Sequence, residues 1–538
     1  MKGMVVAPQP RAAEVGATVL EAGGNAFDAA LATAFTQIVV DPFMCGPGGM
    51  GTANVCLAAT REHRIIDFYT RAGSKVSADM WQKDFAGYSP ISRYALFDDY
   101  RSELGYSAIM TPGTVAGLGE IHKRCCTMKW SDLIAPAIKT ARKGFSVPPY
   151  LVGFLSRPLQ PGIPDGLARV KATEACARIY LRSDGELIRQ GDMLVNQDMA
   201  NSLEILAREG PDSLYTGSLA RVIIQDLEAH GSFVTAEDLA SYKPRMADPL
   251  KTTYRDYIVT TNQPPGGGPS IIELLNILEG FPLGEMEHNG PEHLNILART
   301  MMLAHADRNN YLGDPDFVSV PLDSLFLSKE HAAKYHKIIR EKQTISPEAS
   351  VMEKGTTHLC AIDEAGNIIS MTHTLGTSSG VVTPGLGFMY NNSMKLFDPI
   401  PGKANSIAPG KARTTGMCPT IVFKDDKPVF AVGAPGGSVI ISSVLQSICN
   451  VIDWGMTAME AVSAPRIHCE GAVVYVEARI RSDTCEALRR LGHQVEHRLE
   501  SYAEDFSRAQ LARIRPDGSL DGGSDPRGDY GGVAYARG

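Results

Sequence analysis

The residue pattern of this 538-residue chain changes at about residue 355, and that change limits the fold more than any other feature. Before it, Ala- and Leu-rich segments carry apolar residues at helical spacing. After it, short runs of Val, Ile and Thr alternate with turn residues, which is typical of hairpins. We predict one hairpin from Thr357–Asp363 and Ile368–Thr374, and another from Thr420–Lys424 and residues 429–433. A sheet therefore begins at Thr356, after a first part that is mostly helical with scattered strands.

Several elements of the first part carry clear start and stop signals. Helical spacing covers residues 11–22 and ends at Gly23-Gly24, and Asn25 then caps a second, Ala-rich helix. The loop CGPGGMG precedes a predicted strand over residues 52–58. Further helices are expected over residues 131–145 and 197–206, whereas residues 399–415 have the polar, Gly- and Pro-containing composition of a loop.

Composition excludes several classes of function. The formal net charge of -8 provides no basic stripe for a phosphate backbone, so we expect no nucleic-acid partner. The longest apolar stretch, residues 29–40, is too short to cross a bilayer, and the N-terminus lacks the apolar run of a secretory signal. We therefore expect a cytoplasmic protein that holds its ten cysteines as reduced, buried thiols.

The segment KGTTHLCAID suggests a nucleophile at Thr356. A threonine hydroxyl needs a base, and the free α-amine of an N-terminal threonine can act as that base. Cutting the Gly355–Thr356 bond would create this amine, and Gly355 allows the backbone to bend so that the hydroxyl can reach its carbonyl. Taken alone, the same letters also fit the start of an ordinary strand.

Two neighbouring features strengthen this interpretation. If the first hairpin turns between Ala365 and Gly366, Thr374 lies opposite Thr357, give or take one residue, and its hydroxyl can reach Thr356. In GAPGGSVIISSVL a strand enters a helix through Gly436 and Gly437, whose backbone N–H groups could bind a tetrahedral oxyanion. A plain cross-strand threonine pair and a ligand-free helix entry are the alternatives.

The chain resembles the γ-glutamyltransferases (γ-glutamyltranspeptidases) along nearly its whole length. The resemblance is carried, in order, by these segments: GGNAFDAALA, DPFMCGPGGMG, TPGTVAGL, PAIKTARKGFSV, KGTTHLCAID, THTLGTSSG, NNSM, PGKARTTGMCPTIV and GAPGGS. It implies an α+β fold, the four-layer αββα sandwich of the N-terminal-nucleophile (Ntn) hydrolases, with no cofactor and no metal. It also implies a precursor that cuts itself into a large subunit, residues 1–355, and a small subunit, residues 356–538, which together form one interwoven domain.

The resemblance assigns roles to individual positions. Thr356 matches the processing residue and nucleophile, Thr374 the threonine that assists it, and Gly436 and Gly437 the oxyanion-binding pair. The substrate-binding positions of the family fall on the following residues of this chain: Tyr69, Arg71, Gly376, Ser393, Leu396, Thr415 and Gly416.

Most of those substrate-binding positions depart from the family pattern. Tyr69 stands where the family has an arginine that clamps the substrate α-carboxylate, and Leu396 stands where it has an aspartate that binds the ammonium group. Gly376 and Ser393 replace an Asn and a Gln, and Thr415-Gly416 keeps one hydroxyl of a serine pair. Each hydrogen bond to a charged group contributes about 1.5–3 kcal/mol, so losing two such anchors is enough to change the substrate.

We therefore predict a self-processing amidohydrolase that cleaves a small-molecule amide through an acyl-Thr356 ester, with water or an amine as acceptor. The acyl group is expected to lack the amino-acid head of glutamate and to be more apolar near Tyr69 and Leu396. Three basic residues, Arg71, Arg413 and Lys395, are alternative carboxylate clamps. A true γ-glutamyltransferase or glutathione hydrolase and an unprocessed ligand-binding relative are the other readings, and a homo-oligomer is compatible with all three.

Three further patterns are interpreted as structural. The loop Gly46 to Gly51 fits G-x-G-x-x-G, but a helix precedes it and a strand follows, so a tight turn near the active site is preferred to a dinucleotide site. We interpret His358 and His373 as strand-packing residues, because no metal-ligand spacing accompanies them. Asp307 and Arg308 fall in a helix-to-loop segment and are expected to be structural.

Overall fold

Two β-sheets lie face to face in the computed structural model, which describes residues 2–89, 94–156, 163–341, 343, 345, 355–527 and 531–537. The strands are β1 (Gly3–Ala7), β2 (Met50–Cys56), β3 (His63–Phe68), β4 (Phe145–Ser146), β5 (Met193–Leu194), β6 (Arg245–Ala247), β7 (Leu250–Tyr254), β8 (Tyr257–Thr261), β9 (Thr357–Asp363), β10 (Ile368–Thr374), β11 (Thr420–Lys424), β12 (Lys427–Gly433), β13 (Ile467–His468), β14 (Val473–Val476), β15 (Gln494–His497), β16 (Gln510–Ile514), β17 (Leu520–Ser524) and β18 (Gly532–Ala536).

Helices cover the outer faces of these sheets. They are α1 (Pro10–Glu21), α2 (Ala26–Val40), α3 (Thr114–Cys125), α4 (Trp130–Lys143), α5 (Pro149–Leu155), α6 (Gly166–Val170), α7 (Glu174–Tyr180), α8 (Gln197–Glu209), α9 (Ser218–Ala229), α10 (Ala236–Ala240), α11 (Gly268–Leu278), α12 (Pro291–Tyr311), α13 (Lys329–Arg340), α14 (Val439–Ile452), α15 (Ala458–Ser463) and α16 (Ser482–Arg490).

Each large sheet contains strands from both sides of Thr356. The first has the order β18-β1-β9-β10-β2-β3-β6, and the second has the order β17-β16-β12-β11-β8-β7. Strands β9 and β10, which follow Thr356, lie between β1 and β2 from the first part of the chain. The two parts of the chain are therefore interwoven, and neither completes a sheet alone.

Three apolar layers separate four structural layers. One core joins α1, α2 and their neighbours to the first sheet, and another joins α11, α12 and α14 to the second. A smaller core fills the space between the sheets, where Ile362 and Cys360 of β9 meet Ile421, Ala431 and Ala512 of the second sheet. Helix, sheet, sheet and helix follow one another, so the predicted α+β, four-layer αββα architecture is confirmed.

The elements predicted from sequence are present with small shifts. Asn25 caps α2 by accepting hydrogen bonds from the N–H groups of Phe27 and Asp28, both at 2.9 Å. The strand expected over residues 52–58 is β2, which begins two residues earlier because Met50 and Gly51 pair with β10. The strand expected over residues 429–433 likewise begins earlier, at Lys427, because Asp425 and Asp426 adopt the positive φ angles of a tight turn.

Two further expectations concern the whole chain. All ten cysteines are free thiols, and all except the half-buried Cys126 are buried. Within the described ranges, no helix combines the length and the apolar character needed to span a bilayer.

Candidate active site

The first hairpin brings the hydroxyls of Thr356 and Thr374 together. Strands β9 and β10 pair Thr357 with His373, so Thr374 falls opposite Thr356, one residue from the register predicted at the hairpin centre. The shift arises because Gly366, at φ 87°, closes a three-residue loop instead of a two-residue one. The Thr356 hydroxyl donates to the Thr374 Oγ1 at 2.9 Å.

Thr374 is itself held in place by the following turn. Its Oγ1 accepts a second hydrogen bond, from the Gly376 N–H at 2.8 Å. Both threonines are buried, with 6 % of Thr356 and 2 % of Thr374 exposed. The two hydroxyls are therefore fixed in one geometry and largely shielded from solvent.

The backbone at Thr356 is strained. Its φ is +88°, a value that L-residues avoid and that a β-branched side chain makes costlier still. Strain of this kind contributes about 1–3 kcal/mol and persists only where the surroundings enforce it. On the preceding residue, a Cβ at Gly355 would overlap the Gly376 carbonyl oxygen, so the chain can follow this path only with glycine there.

The second predicted feature, the turn between β12 and α14, reaches the same place. Gly436 and Gly437 have φ angles of +122° and +64°, which are the conformations for which glycine is suited. Gly436 and Gly355 line one small pocket together with Tyr150 and Arg508. One of the two predicted oxyanion donors, Gly436, therefore lies near Gly355, the residue before Thr356.

A cavity of about 440 Å³ opens on the other side of this turn, and we call it the acyl cavity. Three of the predicted substrate-binding residues line it: Leu396, Thr415 and Gly416. Ser438, next to Gly437, also lines it and so connects the cavity with the turn. The complete lining is Tyr88, Tyr94, Ala95, Arg308, Asn309, Asn310, Leu312, Lys395, Leu396, Phe397, Asp398, Lys403, Asn405, Arg413, Thr414, Thr415, Gly416 and Ser438.

The charged groups of the acyl cavity are mostly cationic. Arg308, Lys395, Lys403 and Arg413 line it together with a single carboxylate, Asp398. Asp398 is paired with Lys403 at 2.7 Å. Among the described lining residues the cations therefore outnumber the carboxylates, which favours an anionic ligand.

The three candidate carboxylate clamps occupy different surroundings. Lys395 is buried and pairs with Glu103 at 3.3 Å, so its charge is largely compensated. Arg413 is buried in the wall of the acyl cavity, where it donates to the Thr414 carbonyl at 2.9 Å. Arg71 lies 3.8 Å from Asp314 and, with Tyr69, lines a separate small pocket. Arg413 and Lys395 line the acyl cavity, whereas Arg71 lines the separate pocket.

Tyr69 is held in place by hydrogen bonds to two neighbouring residues. Its hydroxyl accepts from Asn262 at 2.9 Å, and its carbonyl accepts from the Tyr242 hydroxyl at 2.7 Å. The nearby Asp67 is buried, and burial raises the pKa of this carboxyl to about 7. The expectation that Tyr69 helps to form an apolar acyl pocket therefore receives no support from its position.

Gly376 and Ser393 help to pack the segments next to Thr374. A Cβ on Gly376, whose φ is +75°, would overlap the Asn392 Oδ1, which itself accepts from the Thr377 N–H at 3.0 Å. Ser393 is buried and its N–H donates to Asn391 at 3.1 Å. Gly376 thus leaves room for Asn392, and the side chain of Ser393 is buried.

Gly416 lies directly against the turn that contains Gly437. A Cβ at this position would overlap the carbonyl oxygen of Gly437. The turn that contains Gly436 and Gly437, which we call the oxyanion turn, therefore packs directly on the backbone of Gly416. Any side chain at Gly416 would displace this turn. The hydroxyl of Thr415 stays within its own loop, where Oγ1 accepts from the Met417 N–H at 3.2 Å.

The two histidines and the glycine loop that were interpreted as structural are packed as expected. Burial lowers the pKa values of His358 and His373 to about 3, so both rings are neutral, and each hydrogen-bonds a neutral side chain, Thr372 and Gln37 respectively. The loop from Gly46 to Gly51 packs against β10, where a Cβ on Gly49 would overlap the Thr374 carbonyl oxygen. A tight turn beside the active site is thus its observed role.

Two residues of the candidate site were not predicted from the sequence. Glu103 accepts from the Thr377 hydroxyl at 2.9 Å and pairs with Arg169 at 2.5 Å, and it fixes the loop that follows Thr374. Arg308, which was expected to be structural, lines the acyl cavity. No local spacing links either residue to Thr356, because the fold alone brings them together.

Comparisons with known proteins agree with this geometry. The model of the gamma-glutamyltranspeptidase family matches residues 12–535. The chain is 35 % identical to the Acylase ACY 1 proenzyme of Pseudomonas sp. (strain V22), over all of this chain and 94 % of that protein. It is 34 % identical to the glutathione hydrolase proenzyme of Bacillus subtilis (strain 168), over 91 % of this chain and 85 % of that protein.

A solved structure extends the likeness to three dimensions. The crystal structure of cephalosporin acylase from Bacillus halodurans matches with a TM-score of 0.88 and 30 % identity. The match covers all of this chain and 96 % of the other.

Proposed function

This chain belongs to the gamma-glutamyltranspeptidase family of Ntn hydrolases, and on that basis we propose that it cuts itself between Gly355 and Thr356 and then uses Thr356 as an amidohydrolase nucleophile. The observation that carries the proposal is the 2.9 Å hydrogen bond between the hydroxyls of Thr356 and Thr374, made at a threonine whose φ is +88°. An ordinary strand start would need neither the strain nor the buried hydroxyl pair.

Processing follows from the positions of these groups. The Thr356 hydroxyl attacks the Gly355 carbonyl carbon, the C–N bond breaks, and the amine leaves with the proton that the hydroxyl gave up. The resulting ester joins Gly355 to the Thr356 Oγ1, and water hydrolyses it to a Gly355 carboxylate and a free Thr356 hydroxyl. Release of the strained φ favours this cleavage.

Turnover repeats the same chemistry on a substrate amide. The free α-amine takes the proton of the Thr356 hydroxyl as Oγ1 attacks, the N–H groups of Gly436 and Gly437 stabilise the oxyanion, and the proton passes to the leaving amine. Water then hydrolyses the acyl-Thr356 ester. Thr374, held by Gly376, orients the nucleophile throughout.

For the acyl group, we propose a chain that ends in a carboxylate and carries no ammonium group, as in a monoamide of a dicarboxylic acid. Leu396 lines the cavity at the position where relatives place an ammonium-binding aspartate, and an aliphatic side chain cannot compensate an ammonium ion. The cationic wall, with Arg413 as the carboxylate-binding candidate, supports the anionic end. This proposal replaces the expectation of an apolar acyl group.

A matched series of p-nitroanilides tests the acyl preference. γ-Glutamyl-p-nitroanilide carries both charges, glutaryl-p-nitroanilide only the carboxylate, and butyryl-p-nitroanilide neither. We expect the glutaryl compound to have a kcat/KM about tenfold or more above each of the others, because one charged hydrogen bond contributes about 1.5–3 kcal/mol. Fastest turnover of the γ-glutamyl compound would overturn this assignment and favour the alternative, a glutathione hydrolase or γ-glutamyltransferase.

Processing is tested independently of the substrate. Intact-mass spectrometry should find two chains that end at Gly355 and begin at Thr356. A single full-length chain without amidase activity would instead support the unprocessed, ligand-binding reading. Whether water or an added amine accepts the acyl group is measured by product analysis in the presence of an amine.

A further inference from the structure

Three side chains that do not line the acyl cavity converge on one point. Glu273 lies on α11, Asp307 on α12 and His331 on α13. One potential ligand atom from each residue lies within 4.8 Å of the others. The His331 Nε2 is 3.1 Å from the Asp307 Oδ2 and 3.7 Å from the Glu273 Oε1.

Glu273 is the unusual member of this group. Only 1 % of the residue is exposed, and neither carboxylate oxygen has a hydrogen-bond partner among the residues that the structure describes. The only described basic group within ion-pair distance is the ring of His331. A buried carboxylate whose oxygens accept no hydrogen bond is costly, and a bound cation would remove that cost.

We propose that Glu273, Asp307 and His331 bind one divalent first-row transition metal ion, with Zn²⁺ as the best match. An imidazole nitrogen with two carboxylates is a donor set that such ions prefer, whereas Mg²⁺ and Ca²⁺ favour oxygen alone. Ligands about 2.1 Å from a tetrahedral ion lie about 3.4 Å apart. The measured separations of 3.1 and 3.7 Å lie on either side of that value.

The surroundings fit a metal site as well. The Tyr335 hydroxyl donates to the Asp307 Oδ2 at 2.6 Å, as an outer hydrogen bond that orients a ligand would. The Ser328 hydroxyl accepts from the backbone N–H of His331 at 3.0 Å and fixes the first turn of α13. The His331 side chain is 19 % exposed, which leaves a path for the ion and room for a water as fourth ligand.

Such an ion would tie three helices together next to the substrate. Asp307 is followed on α12 by Arg308, Asn309 and Asn310, all of which line the acyl cavity. The site would therefore fix the end of α12 that forms the cavity wall. The inference is independent of the proposed reaction, since its tests measure metal and stability and not turnover.

The direct test is Zn²⁺ binding by the full-length protein. After treatment with a chelator and dialysis, the protein is titrated with ZnSO₄ in a calorimeter, and retained metal is counted by mass spectrometry after gel filtration. We expect one bound Zn²⁺ per chain for the wild type and for the control variant Glu330→Gln. Glu330 is an exposed carboxylate on α13, the helix that carries His331. Glu273→Gln and His331→Ala should each bind at least tenfold more weakly, and Tyr335→Phe about tenfold.

Two further measurements protect the test from misfolding and from adventitious thiol binding. Zn²⁺ should raise the melting temperature of the wild type and of Glu330→Gln but not that of Glu273→Gln, which keeps the shape of the side chain. Co²⁺ should give visible absorption bands of a four-coordinate ion with the wild type, and these should disappear in His331→Ala. Equal retention of Zn²⁺ by wild type and Glu273→Gln, or none by the wild type, would overturn the proposal.

Discussion

Two neighbouring regions of the active site have diverged to different extents. Around Thr356, the predicted assisting residue Thr374 is held by hydrogen bonds, and the predicted oxyanion residue Gly437 packs against Gly416. In the acyl cavity, Leu396 and Gly416 stand at positions for which the family resemblance predicts polar residues. On the proposed function, this contrast separates the residues that would break the bond from those that would select the acyl chain.

The packing at Gly416 gives this contrast a physical basis. The oxyanion turn rests on Gly416 through the Gly437 carbonyl, so the loss of one substrate-binding hydroxyl accompanies tight support of the catalytic donors. The predictions below test each region and are ordered by the size of the expected effect.

Thr356→Ala should abolish both processing and turnover. Without the hydroxyl there is no nucleophile for either reaction, so we expect a single band on a denaturing gel and a fall in activity of at least about four orders of magnitude. The adjacent Thr357→Ser is the matched control, because the Thr357 hydroxyl bonds to Gln9 and Gln37 instead of to the active site. Normal processing of Thr356→Ala would refute the assignment.

Thr374→Val should slow both reactions by about two to three orders of magnitude. It removes the oxygen that positions the Thr356 hydroxyl and leaves the buried Gly376 N–H without its acceptor. The rates of processing and of anilide hydrolysis are the readout, and Thr374→Ser should restore most of both. If Thr374→Ser is as slow as Thr374→Val, then both rates depend on the packing of Thr374 and not on its hydroxyl.

Gly416→Ala should reduce kcat by about 10²-fold without blocking folding. The new Cβ would push the Gly437 carbonyl away and move the oxyanion donors, whose loss typically costs about 10²–10³ in rate. Gly153→Ala, at a helical position with open space around it, is the control. Gly416→Ser should be equally slow, although it restores the family's hydroxyl, and full activity of either variant would contradict this account of the cavity.

Arg413→Gln should change selectivity more than overall chemistry. We expect the ratio of kcat/KM for glutaryl- over butyryl-p-nitroanilide to fall about 10-fold to 100-fold, because one charge-assisted contact is lost. Arg71→Gln, outside the acyl cavity, should leave the ratio within about threefold of the wild type. A larger effect at Arg71 than at Arg413 would exchange their roles.

The pH dependence should show which group is the base. The Thr356 α-amine must be neutral, so kcat/KM should fall about tenfold per pH unit below an apparent pKa near 8. A histidine base would place that limb near pH 6.5, but burial lowers the pKa values of His358 and His373 to about 3. A limb centred near 6.5 that disappears in His358→Gln would contradict the α-amine as base.

Much of the first region could be predicted from sequence because its parts are local. The bounds of β9 and β10 follow from alternation and turn residues, and Thr374 reaches Thr356 through one hairpin. The pairing of β9 with β10 differs by one residue from the pairing predicted at the hairpin centre. The conformation of Gly366 selects a three-residue loop, and the residue types alone do not determine the loop length.

The second region could be predicted less well because it is assembled from distant segments. Arg308, Lys395 and Arg413 meet in one wall only after both sheets have formed, and Tyr69 falls in a different pocket from Leu396. The clash that excludes a side chain at Gly416 depends on a carbonyl more than twenty positions along the chain. No spacing rule connects such contacts, so their consequences for the substrate emerge only in three dimensions.

The most direct test of the central claim is competitive acyl trapping. The processed protein is mixed with equal concentrations of γ-glutamyl- and glutaryl-p-nitroanilide and quenched in acid during turnover, and the N-terminal peptide of the small subunit is analysed by mass spectrometry. We predict a glutaryl ester on Thr356 and little γ-glutamyl ester. A predominantly γ-glutamyl adduct, or an acyl group carried by any residue other than Thr356, would contradict the account.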